Sequence, residues 1–361
     1  MTADTVGGVW TYALELIRGL GSCGIQVALA TMGRKADREQ RQELAELGNV
    51  ELFESEWKLE WMENPWPEVD AAGSWLLDLE KSFEPDLIHL NGYSHAALPW
   101  SVPTIVVGHS CVLSWWRGVK GEMAPGEWDP YRYRVGRGIA AADLVVTPSQ
   151  AMLSALRFFY GPIPKAMVIA NGRDPGRFVP GEKENFILAA GRLWDEAKNI
   201  QTLSAIADNL PWPVYLAGEE RHPEGDVARF QNVRFLGRLS TSELAAWYAR
   251  AAVFALPARY EPFGLSVLEA ALAGCALVLG DIASLREIWQ DAAWYVPPDN
   301  GAQLASALHD LLAAPETRRE LALRARQRAR QFTPEQMLHG YLDAYQSVLP
   351  ATQPAAQPIL V

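Results

Sequence analysis

Two carboxylates stand in an otherwise apolar stretch, residues 252–280 (AVFALPARYEPFGLSVLEAALAGCALVLG): Glu261 in a Pro/Gly turn and Glu269 in the Leu- and Ala-rich run that follows. Residues 253–256 are short, apolar and closed by Pro257, which predicts a buried parallel strand. Residues 265–273 start after Pro262 and Gly264, stop at Gly274 and are strong helix formers, so they predict a buried helix; residues 276–279 predict the next strand. Between Gly264 and Gly274 the only ionisable side chain is Glu269. An ionised carboxylate in such surroundings costs several kcal/mol unless it is hydrogen-bonded or paired, so Glu269 needs a donor partner. The helix start leaves the backbone N–H groups of Gly264, Leu265 and Ser266 without intrahelical acceptors, a ready site for an anion. A phosphate at the helix start and a diol along the helix together describe a nucleotide seat.

The pair Glu261 and Glu269 within EPFGLSVLEA resembles the Glu-x7-Glu motif of retaining GT-B glycosyltransferases, family 4 in particular. The resemblance implies that Glu269 holds the ribose hydroxyls of a sugar nucleotide and that Glu261 faces the transferred sugar. In GRLWDEAKN it assigns Arg192 and Lys198 to the donor diphosphate. The chemistry agrees: negative charge accumulates on the leaving group as the glycosidic bond breaks, and two fixed cations plus a helix N-terminus stabilise it without a metal. The sequence contains no Asp-x-Asp, which fits metal independence. His109, in the GHS turn after TIVV, is implied near the donor sugar, and Gly7-Gly8 resembles the Gly-rich first loop of the family's N-terminal domain. Expected donor contacts are therefore Gly7, Gly8, Arg192, Lys198, Glu261, Phe263, Gly264, Leu265, Ser266 and Glu269. Expected catalytic residues are His109, Arg192, Lys198 and Glu261. No cofactor and no metal are expected, the nucleotide (a UDP- or GDP-sugar) being substrate. The base is expected against backbone near residues 235–237.

Other residues read less sharply. His89 and His95 are expected in packing or acceptor contacts. Trp115, Trp116, Arg117, Tyr131, Arg132, Tyr133 and Arg134 offer aromatic and cationic groups for an acceptor wall, since aromatic platforms suit both sugar rings and cores.

Composition narrows the class. A chain of 361 residues with 49% hydrophobic residues has ample material for two or three cores. The net charge of −11, with no basic tract or zinc pattern, argues against nucleic acid. Three scattered cysteines make neither a disulfide framework nor a metal cluster, which points to a reducing cytoplasm. No apolar run is long enough to span a bilayer. A weak peripheral membrane contact stays open, although the Trp57, Trp61 and Trp66 neighbourhood is acidic and unsuited to anionic lipid.

The elements that must position these groups alternate. Short apolar runs at IQVALAT, VELF, DLIHL, TIVV, DLVV and AMVI are separated by helical stretches near 37–47, 71–83 and 131–142, and a second alternating set starts at NFILAAG. With the resemblance, this implies an α/β GT-B fold: two Rossmann-like, doubly wound parallel-sheet domains facing a cleft, with ligands at the carboxyl ends of strands. The expected organisation is an N-terminal acceptor-side domain over 1–172, a linker over 173–184 and a nucleotide-sugar domain over 185–332. A helix over 333–349 is expected to cross back, followed by a disordered tail over 350–361. One departure stands out: only six residues precede Gly7, so the first strand is short, and the natural protein is expected to begin upstream or to have an unusually unstable first domain.

The function expected is retaining, metal-independent transfer of a sugar from a nucleotide diphosphate to an acceptor hydroxyl of a sugar, a lipid-linked group or a small molecule. The alternatives are a non-hydrolysing sugar-nucleotide epimerase of the same fold, or a nucleotide-sugar-binding protein without transfer.

Overall fold

The computed structural model describes residues 1–222, 225 and 227–350; the tail expected beyond Pro350 lies outside the described residues. The chain divides into two compact units. The first holds Met1–Arg117, Glu122–Gly172 and the segment from Pro334 onward; the second holds Gly118–Gly121 and Arg173–Thr333, so residues 173–184 fall with the second.

In the first unit, β1 (Thr2–Asp4), β2 (Val27–Met32) and β3 (Val50–Glu54) form one parallel ladder. A second parallel ladder contains β4 (Ile88–Leu90), β5 (Thr104–Val107), β6 (Leu144–Thr147) and β7 (Ala166–Val168). β1 is three residues long and pairs with β2 only. Towards β4, β1 is tied through side-chain bonds to Asn91, whose backbone N–H donates to Thr2 Oγ1 at 2.9 Å and whose Nδ2 donates to Thr2 O at 2.6 Å. The alternation of strand side chains divides the interior. Ile105 and Val107 of β5 and Val146 of β6 enter one core with Leu16, Ile17 and Tyr345; Val106 and Val145 enter another with Leu113, Val135 and Leu156. Both faces of the sheet are thus covered, as the continuous apolar strands require.

The helix Pro334–Val348 belongs to this unit, where it packs on the helix Gly8–Ser22 and buries Met337, Tyr341, Ala344 and Tyr345. The helix expected near 71–83 begins earlier, at Trp66, because Pro67 at its start lacks the N–H that the first turn would leave unsatisfied. A further helix, Val112–Lys120, was not expected from the sequence.

The second unit contains one six-stranded parallel sheet: β8 (Glu184–Arg192), β9 (Val214–Glu219), β10 (Arg234–Gly237), β11 (Ala251–Leu256), β12 (Ala276–Gly280) and β13 (Trp294–Val296). Their spatial order is β10-β9-β8-β11-β12-β13. Counted from β8, this is the doubly wound order, which reverses direction between β8 and β11 and leaves a crevice beyond their carboxyl ends. β11 and β12 are buried along their whole length, and the helix Leu265–Leu272 between them buries Val267 through Leu272. Each unit has the α/β architecture expected of it. Among the described residues, no helix is long and apolar enough to cross a membrane.

Candidate functional site

The expected diphosphate residues gather at the switch point of the second unit. Arg192 is the last residue of β8; its guanidinium lies 3.0 Å from Asp195 Oδ2 and 5.4 Å from the Trp194 ring centroid. Lys198 closes the short 3-10 turn after it, which Asp195 caps by accepting from Ala197 N at 3.0 Å. From the other side of the switch point comes the loop after β11, and the Lys198 ammonium pairs with the Glu261 carboxylate. Both side chains are largely enclosed, at 12% and 10% exposed. The loop is fixed at several points. Asn199 Nδ2 donates to Pro257 O at 2.9 Å, Arg259 N to Ala197 O at 2.8 Å, and Ser284 Oγ to Glu261 O at 2.5 Å. Glu261 and Lys198, remote in sequence, are thereby held as a pair on rigid backbone.

Gly264 is the N-cap of the helix Leu265–Leu272, at φ 90, where a Cβ would be strained and would meet Val267 Cγ2 at 3.0 Å. No side chain caps this end. The first-turn N–H groups therefore keep their capacity for an anion, beside Glu261 and its lysine. Phe263 is buried edge-on against Phe332 at 5.6 Å, so what it offers a ligand is backbone. Leu265 and Ser266 are half-buried.

Glu269, one face along the same helix, has a partner that the sequence reading missed: the guanidinium of Arg173, at 2.8 Å. Arg173 sits in the Gly/Pro-rich stretch taken for a linker, is 3% exposed, and lies 5.0 Å from the Phe178 ring centroid. The buried Tyr248 phenol is held well above its ordinary range, first by desolvation and then by the neighbouring Glu269 charge.

In the first unit, Gly7 and Gly8 are exposed at the uncapped start of the helix Gly8–Ser22. Gly7 has φ 88 and ψ −146, a conformation open essentially to glycine. His109 follows β5 by two residues; its Nε2 lies 2.8 Å from Asn91 Oδ1, and its ring meets Tyr12 in a T-shaped contact at 4.5 Å. Desolvation lowers its pKa to about 3, so it is neutral at physiological pH. His89 and His95 are packing residues. His89 is fully buried between the Tyr12 hydroxyl (3.2 Å) and the Tyr345 hydroxyl (2.9 Å), and His95 Nε2 donates to Val69 O at 2.9 Å.

The aromatic and cationic run does not assemble as a wall. Tyr131 is a core residue at 3% exposed, Arg134 pairs with Asp70 at 2.5 Å, Arg117 stacks on Phe158 at 4.0 Å, and Tyr133 is 65% exposed. Asn91, Tyr12 and Arg173 were overlooked. For Asn91 the signal existed, since it is the first residue past a strand end, where doubly wound sheets keep polar groups for ligands.

Known proteins resemble the chain over most of its length. Residues 6–177 match the family model described as "Glycosyltransferase Family 4" and residues 184–314 the one described as "Glycosyl transferases group 1". The glycogen synthase of Mycobacterium tuberculosis is 30% identical over 278 residues, 70% of this chain; the match spans 66% of that relative, just under two thirds of its length. Among solved structures, a sucrose-phosphate synthase of Thermosynechococcus elongatus superposes with TM-score 0.79 at 19% identity, covering 97% of this chain and 99% of that one. Anabaena HepE in complex with UDP and glucose gives TM-score 0.74 at 17% identity, covering 96% and 99%. At these identities the two structures speak for the fold alone.

Proposed function

The chain belongs to glycosyltransferase family 4, the group 1 glycosyl transferases, and on that premise we propose that it is a retaining, metal-independent enzyme moving a sugar from a nucleotide diphosphate donor to an acceptor hydroxyl. The observation that carries this reading is the grouping of Arg192, Lys198, Glu261 and the uncapped helix start at Gly264 at one switch point. Such a grouping supports the reading, because clustered cations and uncapped N–H donors stabilise the negative charge that a leaving diphosphate gains.

As the bond between the anomeric carbon and the diphosphate oxygen breaks, its electron pair goes to that oxygen. Arg192, Lys198 and the N–H groups of Leu265 and Ser266 stabilise the charge that develops. The acceptor hydroxyl attacks from the same face and passes its proton to the departing phosphate, so configuration is retained. Glu269 accepts from the ribose diol, and Glu261 hydrogen-bonds the sugar. HepE, described with UDP and glucose on the same fold, supports a nucleotide-sugar donor. The acceptor is a sugar, a lipid-linked group or a small molecule, and the three free cysteines suit a reducing cytoplasm.

The test incubates the protein with UDP- and GDP-sugars in the presence of a chelator, following nucleotide diphosphate release and the anomeric configuration of the product. Release with retained configuration is expected. Inverted product, a strict metal requirement, epimerised donor or binding without turnover would each overturn the corresponding part of the reading.

A further inference from the structure

Each cation gathered in the second unit is already answered by an acid of the same unit. Arg173 faces Glu269 at 2.8 Å, Arg192 faces Asp195 at 3.0 Å, and the Lys198 ammonium touches the Glu261 carboxylate. These charges cancel among themselves, so an incoming diphosphate must compete with carboxylates for the cations. The two pairs nearest the switch point differ in how they are held. Asp195 also accepts from Ala197 N at 3.0 Å, which fixes it to the turn after β8, while Arg192 is 36% exposed and its guanidinium has five N–H donors. Lys198 and Glu261 are enclosed together, at 12% and 10% exposed. The lysine stem crosses the bare backbone of Gly191, its Cε lying 3.8 Å from the place of a missing Cβ. Glu261 Cγ stands 3.3 Å from the corresponding place on Gly264, so the acid lies against the uncapped helix start as well as against the lysine. Its own negative charge therefore fills the ground where an anion finds both a cation and free N–H groups.

We infer that Glu261 is a displaceable counter-anion: it neutralises Lys198 in the empty site, yields the ammonium to the donor diphosphate, and competes for it again once the nucleoside diphosphate product remains. The inference rests on the proposal that Lys198 meets the donor diphosphate. A lysine that leaves one anion to bind another contributes to affinity only the difference between two ion pairs, because a ligand shifts an equilibrium by no more than its differential interaction. Ser284 fixes the Glu261 backbone by donating to its carbonyl at 2.5 Å, whereas the carboxylate reaches the lysine through rotatable bonds and can turn away without moving the loop. Once displaced, it is available to the hydroxyls of the transferred sugar, the role proposed for it above. Product release sets the rate of many enzymes, and a competitor for the phosphate-binding cation built into the site hastens that step.

The test uses the full chain with Glu261→Gln, which keeps the size of the side chain and removes its charge. The probes are bare UDP and GDP, which carry no sugar for Glu261 to touch. Titration calorimetry should show Glu261→Gln binding the nucleotide preferred by the parent about tenfold more tightly, and product inhibition should strengthen in the same ratio. Without nucleotide the variant should melt below the parent, and its rise in melting temperature on adding nucleotide should be larger. Equal or weaker affinity in Glu261→Gln overturns the counter-anion and leaves the donor reading standing. The joint variant Lys198→Met with Glu261→Gln leaves neither charge unpaired and decides the matter even where the single variant fails to fold. Its affinity for the same nucleotide should stay within about fivefold of the parent, whereas a loss of about a hundredfold would make Lys198 an uncontested cation and overturn the exchange. If neither parent nor variants bind UDP or GDP, the donor reading itself fails and the counter-anion falls with it.

Discussion

The Nε atom of Arg173 lies 2.8 Å from Oε1 of Glu269, with 4% of one side chain and 10% of the other exposed. A lone carboxylate on an apolar helix calls for a donor, and the chain supplies that donor itself. The burial of Glu269 is therefore explained without a ligand, and the proposed ribose diol would have to share the carboxylate with a guanidinium. One consequence is a carboxylate of low conformational freedom, which suits the proposed role of accepting two hydroxyl hydrogen bonds.

Removing Arg173 should expose this dependence. Arg173→Ala leaves a buried carboxylate without its counter-charge, and about 3–5 kcal/mol of stability should be lost. The joint replacement Arg173→Met with Glu269→Leu should recover most of that loss but not nucleotide binding. Urea denaturation of the parent and the two variants measures the stability, and titration calorimetry with UDP or GDP the binding; a loss under about 1 kcal/mol in the single variant would mean that the pair is energetically idle.

Glu269→Ala should weaken binding of UDP or GDP by about 1.5–3 kcal/mol, the range for hydrogen bonds to a charged group. Titration calorimetry on the folded protein is the measurement. Equal affinity in variant and parent would remove Glu269 from the nucleotide site.

Arg192→Ala and Lys198→Ala should lower turnover more than donor affinity, because charge on the leaving phosphate is greatest in the transition state. The Lys198 variant also strips Glu261 of its partner, so its effect should exceed that of Arg192. A chelator should leave the parent rate unchanged. Equal losses in binding and turnover would assign these cations to ground-state binding alone.

Acid should destabilise the first unit through His109. Its folded pKa of about 3 lies below the unfolded value of about 6.5, so between those limits the unfolded chain binds the additional proton. Stability is therefore fully present above about pH 6.5 and is lost as pH falls towards 3, with a slope of up to about 1.4 kcal/mol per pH unit for one proton. Burial also lowers His89 well below its ordinary range and adds in the same direction. His109→Gln should remove one proton's share of the slope in denaturation curves between pH 4 and 6.5; identical slopes in parent and variant would contradict the desolvated state.

Much of this architecture was legible because it is written in short-range pattern. Apolar runs bounded by glycine and proline located β8, β11, β12 and the helix after Gly264, since a buried parallel strand carries its signature on both faces. Arg192, Lys198 and Glu261 were singled out by the family resemblance, and the structure sets them at or beyond the carboxyl ends of β8 and β11. The pairings were not. Arg173 meets Glu269, and Asn91 meets His109, through contacts between distant segments that no local period encodes. Arg173 was further hidden by its Gly/Pro-rich surroundings, which read as a connection. The helix Val112–Lys120 escaped because its two tryptophans and arginine suggested a surface for ligands rather than an element with a buried side.

The helix Pro334–Val348 sets the order in which this chain can be completed. It is synthesised after residues 173–333, yet Tyr341 and Tyr345 fill the interior of the unit that began at the amino terminus. The second unit, contiguous but for a short segment, has its whole sheet available first. The earlier unit emerges and must wait, with the phenol of Tyr12 and the imidazole of His89 lacking the Tyr345 hydroxyl and its neighbours, and with an apolar furrow along the helix Gly8–Ser22 still open to solvent. A nascent chain halted before Pro334 should accordingly keep apolar surface of its first unit exposed, and the closing helix acts as a latch that the ribosome delivers late.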